Sequence, residues 1–243
     1  MKKKLLFLTI AVLCFTMFAG ADTFTTYATR AQQNPSDFFD WSTIAPPGTQ
    51  VTSPQLVTSF GGGNTASVGN TDGSPFLAEQ EGVTYFSSFN PGESLIWTGN
   101  FPLFGFGGIG PMTISFANPV GTVGFGITAD IFFSIGNTPF TAFLTAYDVH
   151  GNPLFSMIGN GLANGNEDGS DLFMGLGDLT GPNIASVQFT ITNSLGAFAD
   201  NDFAIDDLSI GAAGTTVPEP GSLVLLGSGL LVAVGAVRRK LAL

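Results

Sequence analysis

The chain has one imidazole, and that count limits the chemistry open to it. His150 is the single histidine of 243 residues, set in the turn-like run Asp148-Val149-His150-Gly151-Asn152. A hydrolytic triad needs an imidazole held by an acid against a nucleophile. No Gly-x-Ser-x-Gly elbow accompanies His150 to supply one. A histidine-built zinc centre is excluded by the same count. Paired carboxylates of the glycosidase kind are not excluded, because Asp and Glu are plentiful and their separation in space is not legible. Glu79 and Glu81 share one side of an extended chain, but both sit beside Gly82 in an expected loop. Gly61-Gly62-Gly63 lacks the lysine and the following helix of a phosphate loop and reads as a turn. The chain is therefore not expected to be an enzyme.

Calcium is the one cofactor with a candidate loop. Asn164, Asn166, Asp168 and Asp171 place oxygen side chains at near-alternate positions around Gly169, as hard-cation loops do. The run begins with Asn and lacks a distant bidentate Glu, so it departs from the EF-hand pattern, and a polar hairpin loop is the plainer reading. A second acidic stretch holds Asp200, Asp202, Asp206 and Asp207. Phe203 and Ile205 share one parity, Leu208 and Ile210 the other, which predicts a bulge at Asp206-Asp207. Carboxylates at a bulge face either a metal or unpaired backbone N–H groups, and the second is the expected role. Trp41, Tyr85, Trp97 and Tyr147 are candidate platforms for sugar rings, although each is also a natural core residue.

The elements that must position these groups read as β-strands. Hydrophobic residues make up 44% of the chain and charged residues 10%, far below the roughly 25% charged of an average soluble domain. Glycine (33) and phenylalanine (24) are abundant, and the good helix formers are scarce. Ala185–Thr192 alternates cleanly, with Val187, Phe189 and Ile191 on one face. Phe140–Val149 alternates with apolar residues on both faces, predicting a central strand covered on two sides. Gly151-Asn152 then turns the chain into Pro153–Ile158 as a hairpin. Further strands are expected at 55–60, 83–89, 94–98, 112–116, 122–127, 171–175 and 203–210. The fold class is all-β: one antiparallel β-sandwich over 38–211, jelly-roll-like, preceded by an N-terminal segment (22–37) and followed by a linker (212–217).

Charge is segregated along the chain. Lys2, Lys3 and Lys4 open it, and Arg238, Arg239 and Lys240 nearly close it. Between them Arg30 stands as one cation against all 18 acidic residues. Such an interior repels nucleic acid and anionic lipid, so no nucleic-acid partner is expected. Residues 1–21 form a secretory signal peptide: a lysine n-region, an apolar run from Leu5 to Phe18, and Ala19 and Ala21 at −3 and −1 of a cleavage site before Asp22. Cys14, the single cysteine, lies inside it. The mature chain then has no disulfide and no thiol nucleophile.

The last residues (218–243) fall into three parts. Pro218-Glu219-Pro220 is a stiff extended tripeptide. Residues 221–237 carry no charge and are just long enough to span a bilayer as a transmembrane helix. Arg238, Arg239 and Lys240 hold the far end on the cytoplasmic side, so the acidic domain faces outward. This tail resembles the PEP-CTERM sorting signal of Gram-negative bacteria. The resemblance implies the general secretion machinery and an exosortase as partners, the latter a membrane-embedded cysteine protease that recognises the tripeptide and removes the helix. It also implies export across the inner membrane, transient membrane anchoring, then a cell-surface or extracellular location associated with exopolysaccharide. Residues 119–211 resemble the β-sandwich ectodomains of such proteins through Pro119–Phe125, Thr145–Asp148 and Phe203–Ile210. Those domains are similar in fold to carbohydrate-binding jelly rolls, which leaves a lectin-like module, with or without calcium, as the alternative function.

Overall fold

The computed structural model describes residues 24–99, 111–130, 137–193 and 201–212. The expected signal peptide with Ala19 and Ala21 lies outside the described residues. So does the tail, with Pro218, Glu219, Pro220, Arg238, Arg239, Lys240 and the apolar stretch 221–237. No helix among the described residues is long and apolar enough to cross a membrane.

The described chain is all-β, in two sheets whose strand ladders are all antiparallel. The nine-stranded sheet contains β1 (Phe24–Tyr27), β2 (Asp37–Phe39), β3 (Thr49–Val51), β6 (Phe76–Gln80) and β7 (Ser94–Trp97). It is completed by β9 (Thr122–Ala129), β12 (Leu172–Asp178), β14 (Phe203–Ile205) and β15 (Leu208–Gly211). The six-stranded sheet runs β11 (Pro153–Ala163), β10 (Thr138–Tyr147), β13 (Ile184–Asn193), β8 (Met112–Val120), β5 (Thr65–Asn70), β4 (Gln55–Thr58). A four-residue helix, α1 (Arg30–Gln33), is capped by the Thr29 hydroxyl accepting from Gln32 N.

The strands form where side chains of alternating polarity can put one face into a shared core. Along β10, Phe140, Ala142, Leu144 and Ala146 are buried while their neighbours face out. Val187, Phe189 and Ile191 of β13 are likewise buried. From the other sheet Val123, Phe125 and Ile127 meet them, and the Phe125 and Phe189 rings sit edge-on with centroids 4.4 Å apart. That contact between the two layers makes the molecule a β-sandwich.

Several expectations are revised. The sandwich reaches back to Phe24, because β1 pairs with β12 and α1 packs beside β9 and β12. Residues 83–89 form no strand. Val83, Thr84 and Tyr85 all donate their backbone N–H to the Gln80 carbonyl, which closes a turn and lays Tyr85 and Phe89 over the outer side of the nine-stranded sheet. Glu79 lies in β6 and not in a loop, and both Glu79 and Glu81 are buried. Strand β10 is central, but its outward residues are only half-buried or exposed, so it is covered on one face. The hairpin turn at Asp148–Asn152 forms as expected, with Gly151 at φ +78°.

Candidate functional site

The parity change between Phe203/Ile205 and Leu208/Ile210 divides one strand into two. β14 and β15 pair side by side along the same edge of β9, and Asp206-Asp207 fills the gap between them. On the far side β14 continues to β7 and β15 to β2. Ladder bonds lost at the break are replaced by carboxylates. Asp206 Oδ1 accepts from Gly126 N, and Asp207 Oδ1 accepts from Trp41 N at 3.3 Å. The Trp41 indole N–H donates to the Asp206 carbonyl. Satisfying backbone N–H groups was the expected role of these carboxylates, and they fill it.

Arg30 ties this junction to α1. Its guanidinium donates to Asp206 Oδ2 at 2.6 Å and to the Asp207 carbonyl at 3.0 Å, and lies 5.9 Å from the centroid of the Phe173 ring. Asp171 approaches the same place because Gly126 has no side chain. A methyl there would collide with Asp171 Oδ2 and crowd the Asp206 carboxyl. Burial pushes Asp206 up to about 7 against the pull of Arg30, with Asp171 adding to the rise. Burial pushes Asp171 to about 7 as well, helped by the Glu93 charge. Asp207 reaches about 7 for the same first reason, against its bond from Trp41. Three carboxyls thus share one cation, and all three titrate near neutrality.

A second acidic group lies under a cap on the outer side of the same sheet. Tyr85, Phe89, Leu95 and Ala204 form a small separate core there, with Trp97 packed against it. The segment 163–171 is laced to the 81–92 turn. Asn164 N donates to Ser88 Oγ at 2.9 Å, Ser88 Oγ donates back to the Asn164 carbonyl at 3.3 Å, and Glu167 N donates to the Ser87 carbonyl at 2.8 Å. Beneath the cap Glu81 is fully buried. Its Oε1 accepts from Ser87 N, and burial raises it to about 7, with Glu167 and Glu93 adding repulsion. Asp202 accepts from the Trp97 indole at 2.8 Å and is pushed to about 8 by burial and by Asp130.

The candidate calcium residues lie in the segment that follows β11. Asn164 Oδ1 accepts from Asn166 N and its amide donates to Ser170 Oγ. Asp168 Oδ1 accepts from Ser170 N, and Asp171 turns toward Gly126. Their oxygens close local turns or join the strand junction. Among the described residues no group of three or more His, Cys, Asp or Glu is arranged to hold a metal ion. His150 sits in the exposed β10–β11 turn, where its backbone N–H and that of Asn152 donate to Asp148 Oδ1. Of the aromatic platforms, Trp41 and Tyr85 are core residues, whereas Trp97 and Tyr147 are half-buried.

The sequence does not mark Arg30 or Ser88 as a partner of these groups. Arg30 is the lone interior cation, but nothing local links it to an aspartate 176 positions away. Ser88 carries no signal of its own.

Comparison with known proteins bears mainly on the tail. Residues 216–240 match the PEP-CTERM protein-sorting motif. That motif implies an exported chain with a membrane-anchored sorting signal processed by an exosortase. No curated protein matches the chain. Among solved structures, a DUF4465 family protein from Bacteroides caccae aligns over 79% of this chain and 96% of its own, at 15% identity and a TM-score of 0.38. Likeness of that extent transfers none of that protein's properties.

Proposed function

We propose that this chain, bearing a PEP-CTERM sorting motif behind a β-sandwich, is a non-enzymatic surface or matrix protein of a Gram-negative-type bacterium. The signal peptide at 1–21 leads it into the general secretion machinery, and the apolar stretch 221–237 holds it in the inner membrane. Exosortase then recognises Pro218-Glu219-Pro220 and removes the helix, releasing a jelly-roll-like acidic domain to the cell surface among exopolysaccharide. The observation that carries the reading is the motif at 216–240, which follows in sequence the last described strand, ending at Gly211.

The non-enzymatic part is supported by what the acidic residues do. Asp171 and Asp206 come together over Gly126 inside the sheet, where Arg30 pairs with Asp206. Glu81 is enclosed beneath the 81–92 turn. His150 belongs to the other sheet.

The test is the intact mass of the protein isolated from its own host, with cell-envelope and culture fractions compared. Loss of both ends, with a new C-terminus near Pro220, is the expected result. A mature protein that still ends at Leu243 would make the tail an ordinary anchor and overturn the sorting claim.

A further inference from the structure

The outer face of the six-stranded sheet differs from the rest of the molecule. The nine-stranded sheet wears the cap described above, but among the described residues nothing comparable covers this one. Its composition is also unlike its surroundings. None of β4, β5, β8, β10, β11 and β13 contains an Asp, Glu, Lys, Arg or His, although the chain has 18 acidic residues. A solvated face ordinarily mixes charges over roughly a quarter to a third of its positions. Here the outward positions carry hydroxyls and amides, interspersed with the apolar side chains of Phe143 and Tyr147 and the exposed Leu56, Ile158 and Leu162.

Strand register sets these groups in rows. Ser156, Thr145, Gln188 and Thr113 stand side by side across β11, β10, β13 and β8. Within and beside this row, Thr145 and Ser156 share a hydrogen bond at 3.0 Å, and Thr141 donates to Asn160 Oδ1 at 3.0 Å. Such bonds hold the side chains in place while leaving further lone pairs for a ligand. Phe143 and Tyr147 lie on the same face of β10, both half-buried, about 13 Å apart at the rise of an extended strand.

We propose that this face docks an uncharged polysaccharide, laid across Phe143 and Tyr147 with its hydroxyls bonded to the Thr, Ser, Gln and Asn rows. The proposal rests on the reading of the chain as a matrix protein and names the surface and the ligand class. Charge selects the occupant. A basic partner would find its complement at the acidic residues outside these strands, not on them. An anionic polymer, or a second copy of this chain, would be repelled by the long-range field of the acidic domain, whose one arginine is already paired with Asp206. A neutral polyol asks for the two things on offer: donor and acceptor hydroxyls in rows, and flat rings for its C–H faces.

The test uses the full-length protein in non-ionic detergent, run through native gels containing dextran, hydroxyethylcellulose, galactomannan or alginate. Retardation by at least one of the three neutral polymers is expected, weakened at least tenfold by Thr145→Glu and by the edge variant Ser156→Glu. Val83→Glu adds the same charge at an exposed position beside the cap (59% exposed) and should bind as the parent does. Thermal melts of all four proteins identify a variant that has simply unfolded, and Ser156→Glu then decides. Retardation by alginate alone, or by no polymer, overturns the proposal. Loss of a dimer in Thr145→Glu by light scattering would also overturn it, assigning the face to a second copy of the chain. Neutral-polymer binding that survives both face variants overturns the surface assignment while leaving polysaccharide association standing. The mass measurement above tests export separately.

Discussion

Replacing Arg30 by alanine removes the one positive charge at the strand junction, and its effect depends on pH. Asp206 is nearly enclosed, at 14% side-chain exposure, and Arg30 is 36% exposed. Breaking a fully buried pair by deleting one partner costs about 3–5 kcal/mol. The half-solvated guanidinium reduces that to about 2–3 kcal/mol, which includes the bond to the Asp207 carbonyl. The loss applies only while Asp206 is ionised. Its carboxyl titrates at about 7 in the fold against about 3.9 unfolded. The folded state therefore binds more protons between those values, and stability falls as pH rises from about 4 to about 7. At pH 5 Asp206 is mostly protonated and Arg30→Ala should cost under about 1 kcal/mol. At pH 8 the carboxylate is left uncompensated and the full cost appears, about 4–12 °C in Tm for a domain of this size. Thermal and urea unfolding of Arg30→Ala, Asp206→Asn and the double variant at both pH values read this directly. A destabilisation of equal size at pH 5 and pH 8 would refute the reasoning. So would a double variant whose cost is the plain sum of the singles at pH 8.

Two further substitutions probe the cap and the junction. Ser88→Ala leaves both the N–H and the carbonyl of Asn164 without their shared partner, so it should cost about 2 kcal/mol and speed amide hydrogen exchange across 163–171 before elsewhere. Uniform exchange across the domain would count against a locally laced cap. Gly126→Ala drives a methyl into Asp171 Oδ2 and the Asp206 carboxyl. It should cost about 1–3 kcal/mol, measured by urea unfolding, and a neutral result would mean the two carboxyls are not held over that glycine.

Much of the sandwich was legible because buried apolar residues recur at every second position along its central strands, from Phe140 to Ala146 in β10 and from Val187 to Ile191 in β13. The outward Phe143 and Tyr147 suggested a second covered face that the structure does not give β10. The strand break was legible for the same reason: a slip in parity between Ile205 and Leu208 cannot be absorbed by an unbroken strand. Residues 83–89 misled because Val83, Tyr85 and Phe89 are strand-like in type. Gly82 at φ +75° and three bonds to the Gln80 carbonyl curl them into a turn instead, and tertiary context overrides propensity. Strand β5 was hidden by Gly69 and Asn70, and β6 by Glu79, an acid expected in a loop but buried in the strand. The Arg30–Asp206 pair and the Ser88–Asn164 exchange join distant parts of the chain, and no local pattern encodes them.

The split strand has a consequence for a chain that crosses a membrane N-terminus first. Strand β2 finds its one ladder partner in β15, β7 needs β14, and the edge of β9 stays open until both arrive. These pieces lie at 203–211, at the very end of the domain. Without them β2 has no ladder partner and one edge of β9 keeps its backbone groups unpaired, so the nine-stranded sheet is completed by the described residues nearest the sorting motif at 216–240.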